Sequence, residues 1–339
     1  MMNIRLGPAG DLPMRPDAPG TYEWWYFDAI DETQEIAITI ILFDGMPMSP
    51  YWLNALPDAR AEDYRGYAIS IYRKGKKIAG YIHHTNHNSI MQMEHSLHVQ
   101  MGDICMVKDD SGKYTISFET AFEESPHSIH GVLAFTPLKS NAHDSSIGEG
   151  NHCWRLIAPL CTVSGEISLM QYQQEYASIN FSGHGYHDCN AGNDALDADY
   201  DEWYWGRIPL DEAKTLIYYH YPKCSRHREY SIAFVSDANG IHPIDECTIT
   251  LNNISLTSSL MSIARSIQIM GTIAGNTFQA LIRHQETLEF GPFYYRFLTS
   301  ILHTDGDART YHGISEYFNA RRLRSGLVRT MIKTPIKRI

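Results

Sequence analysis

The residues best suited to chemistry lie in one stretch, Phe181-Ser-Gly-His-Gly-Tyr-His-Asp-Cys-Asn-Ala-Gly-Asn193, followed by Asp201-Glu-Trp-Tyr-Trp-Gly-Arg207. His187 and Asp188 form a titratable pair next to Tyr186. Trp203 and Trp205 share one strand face, because side chains alternate with a period of two. Gly183 and Gly185 mark a bulge or a close backbone approach. Tyr186, His187 and Asp188 are expected to emerge together where this strand runs into an acidic loop. The chemistry implied is proton transfer at the lip of a deep aromatic pocket. A surface hairpin with ordinary core aromatics would leave the same pattern. A second run, Tyr22-Glu-Trp-Trp-Tyr-Phe-Asp28, sets Trp24, Tyr26 and Asp28 on one face and Glu23, Trp25 and Phe27 on the other.

An aspartic acid desolvated among aromatics keeps its proton near neutrality. Such an acid can protonate a carbon–carbon double bond, and aromatic faces attract the resulting cation by about 0.5–2 kcal/mol each. Asp188 and Asp28 are the two carboxylates embedded in aromatic runs, with His187 to orient one of them or act as base. For Asp28 a turn-starting role before Ile30-Asp31-Glu32 competes.

These residues need strands to hold them. Glu35–Phe43 is an apolar, β-branched run and reads as a buried strand. From Gly66 to Phe135 short strands alternate with turn signals such as Lys74-Gly-Lys76 and Asp110-Ser-Gly-Lys113. Trp154–Leu169 and Tyr176–Gly183 form a hairpin leading to the central motif, and a second strand series runs from Trp203 to Phe318. Regular short strands of this spacing predict an all-β fold of sandwich or barrel type, not a βαβ chain. Two meanders of similar size give two lipocalin-like antiparallel barrels, or half-barrels, side by side. The expected boundaries are an extended lead-in over 1–20, domains over 21–170 and 171–320, and a basic tail over 321–339. Asp44–Arg65 reads either as a functional lid or as a crossover packed by Trp52 and Leu53. Lys139–Asn151 reads as a polar loop.

The totals narrow the function. The 339 residues carry a net charge of -11, which argues against nucleic-acid binding. No run of about 18 apolar residues exists to span a membrane, and the N-terminus has no signal-peptide core. Six scattered cysteines without a C-x-x-C spacing fit reduced thiols and a cytoplasmic location. The excess of Arg and Lys in 321–339 makes the tail a candidate for peripheral membrane contact, with pairing to acidic loops as the alternative. His83, His84, His87, His95 and His98 straddle a polar turn without metal-ligand spacing. Asp197-x-Asp-x-Asp201 lacks the glycine and glutamate of a calcium loop. No nucleotide or nucleophile-elbow motif occurs. Neither a metal nor a cofactor is expected.

Tyr22-Glu-Trp-Trp-Tyr-Phe-Asp28, Gly185-Tyr-His-Asp-Cys-Asn190 and Trp203-Tyr-Trp-Gly-Arg207 together resemble the carotenoid 1,2-hydratase (hydroxyneurosporene synthase) and AttH-like lipocalin superfamily, which includes fungal Diels–Alderases. Ile129-His-Gly-Val-Leu-Ala-Phe135, Trp154…Ala158-Pro159…Val163-Ser-Gly165 and Gly291-Pro-Phe-Tyr294 extend the resemblance from about residue 20 to about residue 325. It implies the same two-barrel fold and a hydrophobic isoprenoid or polyene substrate. Where the hydratases carry His-Asp-His-Asn-Trp-Gly, this chain reads His187-Asp-Cys-Asn-Ala-Gly192. Cys189 and Ala191 thus replace a histidine and a tryptophan associated with water addition. A tyrosine and an aspartate of the relatives are matched by Tyr218-Tyr-His220, without the carboxylate. A wider pocket without the water-handling groups suits cyclisation, isomerisation or a pericyclic reaction.

The expected function is a cofactor-independent enzyme that directs one of these reactions. Asp188, His187 and Asp28 handle protons, and Trp24, Tyr26, Tyr186, Cys189, Trp203, Trp205, Tyr218, His220 and Tyr294 line the pocket. The alternative is a non-catalytic carrier of a hydrophobic small molecule.

Overall fold

The computed structural model describes residues 2–7, 11, 13–14, 18–93, 96–121, 126–138, 145–198, 200–224, 228–302, 310–332 and 336–337. The chain divides into two compact units, one of residues 2–139, 144–195 and 333–339, the other built on 196–332. Both are all-β, and each is a lipocalin-like antiparallel barrel. The break falls at 195/196. The turn at Tyr172-Gln173, near the expected division, joins two strands of one sheet.

In the first unit the main path of the sheet runs through Lys76–Thr85, Gly66–Arg73, Ile36–Asp44, Tyr22–Asp31, Gln174–Gly192, His152–Gln171, His127–Pro137, Tyr114–Ala121, Ile104–Lys108, Leu97–Met101 and Asn88–Gln92. The sheet curls on itself, so the hydroxyls of Tyr67 and Thr120, from strands far apart in that order, meet at 2.7 Å. Its inward side chains, among them Trp25, Phe27, Tyr67, Phe118 and Phe135, form one contiguous core. This barrel interior is therefore packed with side chains.

Burial along two strands locates the unusual part of the sheet. Gln174–Gly192 alternates buried and exposed up to Gly183, the pattern of a sheet with one face in water, and is buried on both faces from Gly185 onward. His152–Gln171 does the reverse, buried on both faces through Cys161 and alternating afterwards. Tyr22–Asp31 and Ile36–Asp44 lie beside these doubly buried segments. Gly183 explains the close approach of two strands, since a Cβ there would lie 2.1 Å from the Ile30 carbonyl oxygen.

Several local expectations change. The central motif is strand throughout, so Tyr186, His187 and Asp188 do not emerge at a loop. The lead-in contains a strand, Asn3–Leu6, which runs parallel to His152–Gln171. Ser145–Ile147 is a further short strand within the expected polar loop, whose residues 139–144 lie outside the described residues. Asp44–Arg65 holds a short helix, Pro50–Ala55, capped by the Ser49 side chain, and Trp52 on it is fully buried. This segment is the packed crossover rather than a lid.

The second unit has a nine-stranded sheet in the order Gly240–Pro243, Tyr230–Asp237, Thr215–Tyr221, Trp203–Pro209, His312–Phe318, Tyr294–Leu302, Asn276–Phe290, Ser266–Ile273 and Asp245–Asn252. Its core includes Tyr204, Tyr218, Phe297 and Tyr317. The basic tail begins as a 3-10 turn, Ala320–Arg324, and a helix, Gly326–Met331. Arg324 pairs with Asp197, and Arg322 donates to the Ser259 carbonyl at 2.7 Å. Among the described residues no helix is long and apolar enough to cross a membrane.

Candidate active site

Strand periodicity separates the two halves of the His187/Asp188 pair. Asp188 lies opposite Tyr26 and His187 opposite Phe27, so the two side chains leave the strand on opposite faces. His187 points into the barrel core. Its ring stacks on Phe27 at 3.9 Å and meets Tyr114 edge-on at 4.7 Å. Its Nδ1–H donates to the Tyr26 carbonyl at 3.0 Å, which leaves Nε2 facing the Cys189 thiol at 4.0 Å. Burial pushes the imidazole down to about 4, so it is neutral near pH 7. Cys189 is inward too, and burial pushes its thiol well up. Farther along the inward side Arg155 forms a buried ion pair with Glu23, whose carboxyl burial pushes up against the opposing pull of that guanidinium.

The opposite face gathers the other expected groups. Trp24, Tyr26 and Asp28 from one strand, and Tyr186 and Asp188 from its neighbour, are all buried there. Asp188 is the hub. Its Oδ2 accepts from Tyr186 Oη at 2.7 Å and from Trp154 Nε1 at 2.8 Å, and its Oδ1 accepts from Asn190 Nδ2 at 3.1 Å. Three donors aimed at one carboxyl group favour its ionised form. Asp28 sits directly across from Tyr186, which puts the two aspartates on diagonal positions. Diagonal cross-strand neighbours are roughly 7–8 Å apart at Cα, within reach of each other's fields. Burial holds the Tyr186 phenol well above its usual range, reinforced by Asp188 and then Asp28, so it remains a donor. The Tyr26 and Tyr186 rings meet edge-on at 6.2 Å, and Trp24 stacks on Tyr22 at 5.6 Å.

The remaining expected residues belong to the second unit and fall on both sides of its sheet. Trp203 stacks on Phe318 at 4.2 Å, and Trp205 lies opposite Tyr219 on the same strand face. Tyr294 donates to Glu316 at 2.6 Å beneath Arg296. Tyr218 instead points into the core and donates to Ser315 at 3.1 Å. His220 follows Tyr218 by two positions and pairs with Ser231 at 2.9 Å, its imidazole pushed by burial down to about 4. Trp203, Trp205 and Tyr294 thus do not share a face with Tyr218 and His220.

The histidines read as lacking metal-ligand spacing have separate partners. His83 packs between Tyr67 and Tyr81, His84 pairs with Ser49, and His98 faces Cys105; His95 lies outside the described residues, as does Asp199 of the acidic loop. Sequence reasoning missed Trp154 and Asn190 as partners of Asp188. Asn190 was signalled by its position two residues on, on the same face. Trp154 is 34 residues away and only strand pairing brings it in.

The fold is that of the two-barrel lipocalin-like structures of AttH type. A crystal structure of an AttH candidate from Nitrosomonas europaea matches with a TM-score of 0.60 at 15% identity, covering 92% of this chain and 96% of that one. Residues 40–339 match the family model of the carotenoid hydratase CrtC, and the chain belongs to the carotenoid hydratase family. A protein named hydroxyneurosporene dehydrogenase from Chlorobaculum tepidum is 27% identical over 347 residues, spanning 96% of this chain and 90% of its own length. An acyclic carotenoid 1,2-hydratase from Thiocapsa roseopersicina is 25% identical over 336 residues, spanning 98% and 76%. The protein is a hydratase-like enzyme.

Proposed function

We propose that the protein adds water, without a cofactor, to a carbon–carbon double bond of a hydrophobic acyclic isoprenoid or polyene, and that the aspartate-bearing aromatic face carries the reaction. The observation that supports this most is the Asp188 hub, a buried carboxyl group with three donors on a face otherwise made of aromatic rings. In this scheme one of two carboxyl groups this close on a buried face holds a proton, and the three donors to Asp188 favour it as the ionised one. Asp188 then serves as the base and Asp28 as the acid. Asp28 gives its proton to one alkene carbon. Trp24, Tyr26, Tyr186 and Trp154 present rings to the cation formed at the other. Water attacks that carbon and loses its proton to Asp188. Return of this proton to Asp28 restores both groups, so the net change is one water added.

The departures at Cys189 and Ala191 do not weigh against hydration by the Asp188 face. Both positions lie on the inward side of the strand, opposite Trp25 and Glu23. They leave the Asp188 face unaltered. The test is incubation with lycopene, an acyclic carotenoid, in isotopically labelled water. A product heavier by one labelled water supports hydration. An isomer of unchanged mass points to cyclisation or isomerisation. Lycopene bound and recovered unchanged, with no product from other acyclic polyenes, favours the carrier.

A further inference from the structure

Asp188 is the end of a longer chain of hydrogen bonds that the proposed reaction does not by itself use. Asn190 bridges it to His152, with His152 Nε2 3.1 Å from Asn190 Oδ1. On the other side of the ring, His152 Nδ1 lies 3.1 Å from the Tyr22 hydroxyl. Gly192 opposite His152 makes room for this, since a Cβ there would lie 2.3 Å from the Tyr22 oxygen. Tyr22 also lines a polar cavity of about 120 Å³ with Glu23, Asp44, Arg60, Glu62 and Arg65. At about 30 Å³ of liquid volume per water, that space holds a few water molecules.

The direction of every bond follows from its end. A carboxylate only accepts, so the Asn190 amide must turn its NH₂ to Asp188 and its oxygen to His152. An amide oxygen also only accepts, so His152 carries its hydrogen on Nε2. In the neutral ring Nδ1 is then bare and accepts from the Tyr22 hydroxyl. All donors point toward Asp188, from the rim of the polar cavity inward.

We propose that His152 is a positioning residue for the hydration reaction. Through Asn190, whose oxygen selects its tautomer, it fixes the orientation of Asp188, with Tyr22 donating to its bare Nδ1 and Gly192 clearing the space. This rests on the reading of Asp188 as the base. His152 touches no reacting atom in this scheme.

The test compares His152→Phe, which keeps a ring of similar size, with His152→Gln, which keeps a donor toward Asn190. Losing a hydrogen bond that supports a charged group corresponds to a fall of about 10- to 100-fold in kcat on lycopene. KM should change less than about twofold, since ground-state binding is untouched. His152→Gln should recover most of the rate, and Tyr22→Phe should lose less than His152→Phe. Unchanged kcat in His152→Phe, with Asp188→Asn inactive, overturns the positioning role but not the function. Full activity in Asp188→Asn overturns the reading of Asp188 as the base, and with it this proposal, whereas no water added to lycopene by the wild-type protein overturns the function itself. A readout independent of turnover is the imidazole nitrogen NMR spectrum of the wild-type protein. A hydrogen on Nε2 of His152 with Nδ1 bare supports the chain, and the other tautomer overturns it.

Discussion

Where Tyr22–Asp31 pairs with residues 185–192, both faces of the two strands are buried and both carry aromatic rings, yet they are chemically opposite. On the inward face Phe27, Trp25 and a neutral His187 pack as core. On the other face Tyr26, Tyr186 and Trp24 surround a carboxyl group with three donors. A histidine held by one backbone carbonyl, a thiol at 4.0 Å and a stacked ring is a filler with a polar edge. An aspartate whose donors converge from two strands is a built site. Burial therefore does not separate core from site here. The supply of partners for a charge does.

The sharpest way to break the comparison is to remove one titratable group from each face. Asp188→Asn keeps size but cannot take a proton, so kcat should fall by about 10²–10⁴-fold, the range for lost acid–base catalysis, with ligand affinity nearly unchanged. Asp28→Asn should fall comparably. His187→Phe should keep kcat per folded molecule within about threefold, because its ring only fills core space. Comparable losses in His187→Phe and Asp188→Asn would dissolve the distinction between the faces.

A second measurement concerns stability. Phe27→Ala removes a fully buried ring under His187, and Phe-to-Ala core truncations cost about 3–5 kcal/mol. Tyr186→Phe on the other face removes only a hydroxyl and its bond to Asp188, about 1–3 kcal/mol. Denaturant midpoints should rank the two in that order, while kcat ranks them in reverse.

The smallest effect is the pH dependence of the inward face. The folded His187 sits at about 4, below its unfolded value of about 6.5. Its neutral form is native, so its contribution is fully present above pH 6.5. The unfolded chain binds a proton first as pH falls, and stability declines between about 6.5 and about 4. The loss is at most about 3 kcal/mol at 1.36 kcal/mol per unit. His187→Phe should flatten that part of the stability profile measured by denaturant titration. An unaltered slope would mean that His187 is not the buried neutral group described.

Much of the molecule is legible in its sequence. Alternation in runs such as Tyr114–Ala121, together with paired turn signals, specifies strands, and strands at that spacing specify barrels. The period of two also places Trp24 with Tyr26 and Asp28, and Tyr186 with Asp188, since that is local backbone geometry. It equally separates His187 from Asp188, once the segment is known to be strand. Gly183 and Gly185, read as a bulge or a close backbone approach, do sit at close approaches, within a strand that continues through them to Gly192.

Only tertiary structure decided which face is core. A strand buried on one side announces its inside by hydrophobic alternation, but Tyr22–Asp31 carries aromatic and acidic residues on both sides, so its pattern carries no such sign. The partners of Asp188 are equally beyond local reading. Trp154 and His152 arrive through the register of a neighbouring strand, and a register is set by the packing of the whole sheet rather than by the residues it brings together.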